Sequence, residues 1–200
     1  MNGVWIAGTR SFSTEVAGFA EESGLKPLGW LGPRERSGAG GEIDGLPVAW
    51  LDDDARGDAV AVVGTGDADR REVVARLEAA GWRIAGLVHP RAHVAASVIV
   101  APTALIGPGA VVGARASVGD HAVLGRGALV GHHTSIGAFA TLNPGANVAG
   151  NATIGDGAFV GMSAAVRDHT EVGSWATVSM GAVVVSAVAA GATVRGVPAR

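Results

Sequence analysis

Between Ala92 and Ala187 the chain can be cut into sixes without a gap: AHVAAS, VIVAPT, ALIGPG and so on to AVVVSA. The third place of every hexad is Val, Ile or Leu, giving sixteen consecutive matches from Val94 to Val184. The first place is Ala or Thr in every hexad but the one opening at Val98, and Gly usually follows the aliphatic residue. A chain merely rich in Ala and Val would keep no fixed phase. Repeats of this regularity mean stacked units that share one continuous core. Each hexad supplies a short strand and a corner. Three hexads close a turn, so residues 18 apart stack at an inter-strand spacing of about 4.8 Å. The aliphatic residue points inward, where its branched side chain suits extended backbone. The small residue is expected at the crowded corner, with Gly supplying backbone freedom there. The pattern therefore predicts a parallel β-helix over residues 91–200.

The first ninety residues read differently. Val4–Gly8 is expected as a buried strand, followed by a helix capped by Ser13, with Val16, Phe19 and Ala20 on one face and Gly24 at its end. Residues 59–64 form a second buried run. Asp67 is placed to cap a second helix that turns Val73, Val74 and Leu77 inward and stops at Gly81. Residues 82–90 read as a third strand leading into the hexads. Strands alternating with helices predict a small, Rossmann-like parallel α/β sheet over residues 1–90. The polar, Gly-rich stretch from Gly32 to Gly45 reads as a loop. Charge divides the same way: residues 1–90 hold 9 basic and 14 acidic side chains, residues 91–200 hold 6 and 4.

Composition removes several classes of function. There is no Cys, which excludes disulfides, thiolate zinc sites and a Cys-linked acyl intermediate. A net charge of −3 gives no basic nucleic-acid scaffold. The N-terminal residues lack the charged start and apolar run of a signal peptide, so a cytoplasmic protein is expected. Val172–Val194 is uncharged and long enough to span a bilayer, but it keeps the hexad phase and is read as part of the coil.

Chemistry has few places to reside. His132 and His133 follow Val130 at a corner, so both point away from the apolar core. They read either as a solvated surface pair or as a general base, neutral imidazole being the usual proton acceptor near pH 7. His133 and His169 are two coils apart, about 10 Å by the strand spacing, too far to share an ion. His121 falls on another edge, and no metal site is expected. After the first strand the chain reads Gly8, Thr9, Arg10, Ser11, which keeps only the first Gly of a dinucleotide fingerprint. That loop still lies at the C-terminal end of a strand, where α/β sheets bind ligands. It is either a plain turn or one side of a crevice whose other side is Gly64 and Thr65.

The order of a small α/β unit, the junction His89–Pro90, uninterrupted hexads and the ending RGVPAR resembles bacterial sugar acyltransferases of the sialic-acid O-acetyltransferase family. Within it, the chain is most similar to N-acetyltransferases of nucleotide-linked 4-amino sugars of the bacillosamine and perosamine type. The strongest stretch is residues 130–166. The resemblance implies a left-handed coil and a homotrimer with active sites between neighbouring prisms. It also implies acetyl-CoA as co-substrate and a sugar nucleotide bound by the N-terminal domain. The catalytic base falls on His132. The acidic partner that usually follows it falls on His133, which can orient His132 by a hydrogen bond but brings no negative charge. Acetyl-CoA contacts fall on Thr141, Gly150, Met162, Met180 and Gly181, and acceptor contacts on Gly8, Thr9, Arg10, Ser11, Gly64 and Thr65.

The expected activity is acetyl transfer from acetyl-CoA to the amine of a nucleotide-linked amino sugar, without metal. Transfer to a hydroxyl of a sugar or other metabolite, and a non-catalytic β-helix used for assembly or ligand binding, stand as alternatives. A γ-type carbonic anhydrase comes last.

Overall fold

A computed structural model of the chain describes residues 3–9, 11–34, 41–55, 58–66 and 70–200. It divides into two compact units, Met1–His89 and Pro90–Arg200.

The first unit contains β1 (Gly3–Ala7), α1 (Ser11–Glu22), β2 (Lys26–Gly32), β3 (Glu42–Ile43), β4 (Leu46–Trp50), β5 (Val60–Val63), α2 (Arg70–Ala79) and β6 (Arg83–Ile84). The sheet order is β3-β4-β2-β1-β5-β6. Every neighbouring pair is parallel except β3–β4. The central strands β1 and β5 are almost wholly buried, as parallel strands covered on both faces must be. Helix α1 turns Val16, Phe19 and Ala20 into the core as the spacing predicts. It ends where Gly24, at φ 78°, reverses the chain and the Leu25 N–H returns to Ala20 O at 2.9 Å.

Several expectations for this unit are corrected. Strands β2 and β4 were not foreseen. The run KPLGWLG carries a proline and two glycines, which read as turn residues. Gly29 is there for space: a Cβ on it would sit 2.4 Å from the Trp5 ring and 2.6 Å from Pro47 O. The expected loop from Gly32 to Gly45 contains β3, which pairs with β4 across Asp44–Gly45, both at positive φ (51° and 74°). Ser13 does not cap α1 but lies inside it, fully buried. The expected third strand is two: Arg83–Ile84 pairs with β5, and Leu87–Val88 is a separate short strand already in hexad phase. Asp67, the expected cap of α2, lies outside the described residues.

The second unit is a parallel β-solenoid. Two-residue strands recur every six residues from His93–Val94 to Val183–Val184. From His93 to Ala165 each pairs in parallel with the strand 18 residues on, as Leu105–Ile106 does with Val123–Leu124. The strands fall into three sheets, one per face of the coil. The inward aliphatic residues and the first-place alanines make one continuous core, in which Ile106, Leu124, Leu142 and Val160 are fully covered. Where Thr replaces Ala in that place the hydroxyl is satisfied locally: Thr134 Oγ1 donates to Ala149 O at 2.9 Å.

The corner works otherwise than expected. The first-place alanine is a core residue, not a corner residue. The Gly after the aliphatic position is required for close approach: a Cβ on Gly131 would lie 2.4 Å from Gly150 N in the next coil. Backbone freedom is needed at the sixth place instead. All thirteen sixth-place residues from Gly109 to Gly181 have positive φ, including Arg115, His133, Asn151 and His169 on one edge. The last coil is shorter. Val172 bridges to Val188 and Thr177 pairs with Thr193, a spacing of 16 rather than 18.

Among the described residues no helix is long and apolar enough to cross a membrane. Val172–Val194 forms short strands of the solenoid.

Candidate functional site

Two places bring the expected residues together, one in each unit. In the second unit, His132 and His133 occupy the fifth and sixth places of their hexad, at the corner after Val130. Both are exposed. The sixth-place backbone at φ 57° turns His133 back toward its neighbour, and the two Nδ1 atoms lie 3.0 Å apart. The rings stand nearly perpendicular, at 86°, with centroids 5.2 Å apart. One coil on, Gly150 occupies the place directly beside His132. A Cβ built there would lie 2.8 Å from His132 Cε1 and 2.9 Å from Nε2, so the imidazole lies across the space that a side chain would fill. The ladder continues at this edge, with Asn151 N donating to His132 O at 2.9 Å and His169 N to Gly150 O at 3.2 Å. The charged groups of this edge are Arg115, one coil before His133, and Arg167 and the Asp168–His169 pair two coils after it, the last two 3.9 Å apart.

The remaining residues expected at the thioester site are distributed. Met162, Met180 and Gly181 stand on the preceding edge, stacked so that Gly181 N donates to Met162 O at 2.9 Å. Both methionine side chains are exposed (45% and 66%). The face carrying Asn147, Ala165 and Val183 separates that edge from the one bearing His132 and Gly150. Thr141 is a strand residue of a different face and is buried, 5% exposed. Gly150 thus joins the histidine pair directly, while the methionines do not touch it within one chain.

In the first unit, the chain runs outward from β1 through β2 to β4 on one side and returns to β5 and β6 on the other. The reversal between β1 and β5 is a topological switch point, and ligands of open α/β sheets bind at the C-terminal ends of strands there. Gly8 and Gly64 are the residues that follow those two strands. Gly8 N donates to Leu31 O and Gly64 N to Ala7 O, each at 2.8 Å, extending the ladders by one step. Gly8 has φ 132°, and a Cβ on it would strike Ser13 Oγ. Ser11 opens helix α1 at this end of the sheet, and the N–H groups of a first helical turn have no carbonyl within the helix to bond. Thr65 follows Gly64, and its hydroxyl is buried without a hydrogen-bond partner among the described residues. Arg10 lies outside the described residues.

The contacts that brace this end of the unit are not legible in the sequence. Ser13 Oγ donates to Gly64 O at 2.9 Å, tying the helix start to the end of β5. Arg70 is buried and donates to Thr65 O at 3.2 Å, bracing the same loop from below. Beyond the ends of β2 and β4, Arg34 lies over the Trp50 ring and donates to Asp53 at 2.7 Å. Beside it, Arg76 clamps Asp52 with two hydrogen bonds, which hold that carboxyl below its ordinary range. Among the described residues no group of three or more His, Asp or Glu could hold a metal ion.

No protein-family model matches the chain, and no curated protein matches it. Solved structures do. The acetyltransferase domain of PglB from Neisseria gonorrhoeae FA1090, in complex with acetyl coenzyme A, is 29% identical. Its TM-score is 0.89, over 100% of this chain and 99% of that one. PerB from Caulobacter crescentus, in complex with CoA and GDP-perosamine, has a TM-score of 0.88 at 24% identity, over 100% and 97%. WeeI from Acinetobacter baumannii AYE has 0.88 at 23%, over 100% and 99%. The resemblance read from the hexads is to the same kind of protein, hexapeptide-repeat sugar acyltransferases.

Proposed function

We propose that the chain transfers an acetyl group from acetyl-CoA to the amine of a nucleotide-linked amino sugar, with His132 as general base. The observation that carries this reading is the exposed imidazole of His132 held across Gly150. It occurs in a chain that matches an acetyl-CoA-bound acetyltransferase domain over its whole length. The acceptor class is supported by the likeness in fold to a protein bound to GDP-perosamine.

The chemistry follows from the residues. Bare Nε2 of His132 removes a proton from the acceptor nitrogen as that nitrogen attacks the thioester carbonyl. The carbonyl oxygen gains charge, and a backbone N–H such as that of Gly150 steadies it. The C–S bond then breaks, and the thiolate takes the proton back from His132. No acyl-enzyme forms, and no Cys is available to form one. In this reading the first unit is a Rossmann-like acceptor domain spanning residues 1–90. Gly8, Thr9, Ser11, Gly64 and Thr65 surround the nucleotide, whose phosphates meet the start of α1.

The coil is left-handed and three copies associate. The reason for a trimer lies in the division of the thioester set. His132 with Gly150, and Met162 with Met180 and Gly181, border opposite sides of one face, so a neighbouring copy can bring one edge against the other. Dependence on acetyl-CoA places the reaction in the cytoplasm.

Calorimetric titration with acetyl-CoA and CoA, followed by an acetylation assay on nucleotide 4-amino sugars, tests the reading. His132→Ala is expected to abolish transfer and leave CoA binding intact. Full turnover in that variant, or no CoA binding by the wild type at millimolar ligand, would overturn it. Acetylation of a hydroxyl acceptor alone would move the activity to the O-acetyl class.

A further inference from the structure

We propose that His133 is the charge store of the histidine pair: the proton that His132 accepts is accommodated by moving the bridging proton onto His133. The inference rests on the acetyl-transfer reading for its consequence, but its physical basis stands apart from it.

Two ring nitrogens 3.0 Å apart are within hydrogen-bond distance, and one proton joins them. One Nδ1 donates and the other accepts. The contact therefore requires opposite tautomers in the neutral pair. The donor ring carries its proton on Nδ1 and has a bare Nε2. The acceptor ring carries its proton on Nε2. When His132 is the donor, its Nε2 lone pair is open to a substrate, which is the state a general base needs. Among the described residues neither Nε2 has a hydrogen-bond partner. The nearest carboxylate on this edge is Asp168, two coils away, about 10 Å by the strand spacing. Arg115 stands one coil before, neutral Asn151 one coil after, and Arg167 beside Asp168 two coils after. Among the described residues no anion touches the pair, so a proton arriving at His132 is not met by an opposite charge. It is met by a second base.

The proton count closes. As the amine attacks, its proton goes to Nε2 of His132. The Nδ1 proton of His132 crosses to Nδ1 of His133, which then holds two protons and the positive charge. His132 is left neutral. When the C–S bond breaks, His133 returns the bridging proton to His132. His132 gives its Nε2 proton to the leaving thiolate, and both rings recover their starting tautomers. His133 acts through His132 and touches neither substrate, so it is a positioning residue that also takes up charge.

The test uses the full-length protein labelled with ¹⁵N at histidine. Nitrogen chemical shifts at a pH where the pair is neutral report which nitrogen of each ring is protonated. His132 should carry its proton on Nδ1 and His133 on Nε2, with a scalar coupling across the two Nδ1 atoms that disappears in His133→Gln; the reverse assignment would refute the proposal. Both rings protonated on Nε2, with no coupling, would overturn the shared proton whatever reaction the protein catalyses.

The kinetic arm separates charge uptake from mere orientation. Gln at 133 can accept the Nδ1 proton as a hydrogen bond but cannot take it. His133→Gln should lower kcat by about tenfold or more, with KM for acetyl-CoA unchanged. His133→Glu, whose negative charge favours the imidazolium of His132, should recover most of kcat and move the acid limb of the pH profile to higher pH. Wild-type kcat and pH profile in His133→Gln would leave His133 as a tether and refute the charge store. If no acceptor is turned over, the nitrogen shifts still decide the shared proton.

Discussion

Gly150→Ala is a single methyl placed against His132, the proposed base. The added Cβ would lie 2.8 Å from His132 Cε1, 2.9 Å from Nε2 and 3.1 Å from Nδ1. Comfortable carbon contacts begin at about 3.5–4.0 Å, so the imidazole must retreat by about 0.7–1.2 Å. Gly150 is not among the residues at positive φ, so its backbone accepts alanine without strain. Its N–H is retained, so any stabilisation of the oxyanion by that group survives. The perturbation therefore falls on the position of His132. A shift of about 1 Å in a reacting group costs on the order of a hundredfold, and kcat should fall by that amount. Stability should change by less than about 1 kcal/mol, or roughly 2–4 °C in Tm for a chain of this size. The assay is steady-state acetylation with Tm and acetyl-CoA titration measured on the same preparation. A double-mutant cycle sharpens it: in a His132→Ala background, Gly150→Ala should cost nothing further. Wild-type kcat in Gly150→Ala would refute the placement of the ring and, with it, the argument that this glycine exists to seat the base.

Three other outcomes follow from the fold. Leu142 is fully buried in the solenoid core, and Leu142→Ala should cost about 2–5 kcal/mol, read as a drop in denaturation midpoint. Ser13→Ala removes the donor to buried Gly64 O. It should cost about 1–3 kcal/mol and weaken nucleotide binding while leaving acetyl-CoA binding alone, measured by parallel titrations. Asp52 has its carboxyl lowered chiefly by the hydrogen bonds from Arg76. Its pair with Arg76 therefore stabilises the fold above the unfolded carboxylate range and is lost as pH falls through the lower folded value. Because the pair is exposed, Asp52→Asn should cost less than about 1 kcal/mol at pH 7. The difference from wild type should close below about pH 4, as urea unfolding at several pH values would show.

The two units differ in how much of them the sequence displays. The solenoid is legible because its rule is strict. An aliphatic residue at the third place of every hexad leaves one phase, and that phase alone puts His132 and Gly150 on the same edge, 18 residues apart. The histidine pair was visible for the same reason: a corner residue in this coil faces outward. What the repeat did not reveal is the sixth place, where Arg115, His133 and Asn151 take a backbone usually reserved for Gly. Their side-chain identities give no hint of it, because the ladder to the next coil enforces the conformation.

In the first unit the outcome was mixed. Continuous apolar runs disclosed β1 and β5, and the spacing of Val16, Phe19 and Ala20 disclosed α1. β2 was hidden by Pro27 and Gly29, the latter present to let Trp5 pack against the strand. With β2 and β4 unseen, the switch point between β1 and β5 could not be located, although Gly8 and Gly64 at its two sides were already named. Ser13 misled because a serine near a helix start reads as a cap. Here it reaches across to the neighbouring strand instead.

The eighteen-residue ladder also governs how such a molecule can change over generations. One extra hexad anywhere before the histidine pair would turn everything downstream by a third of a revolution relative to what precedes it. Three together would leave every edge aligned. Length variation upstream of the pair is thus quantised in whole coils, whereas point changes at outward places are nearly free. The shortened coil after Val184 marks where this restriction ends. Past it no edge of the candidate site remains to be kept in phase, and a deletion of two residues can be absorbed.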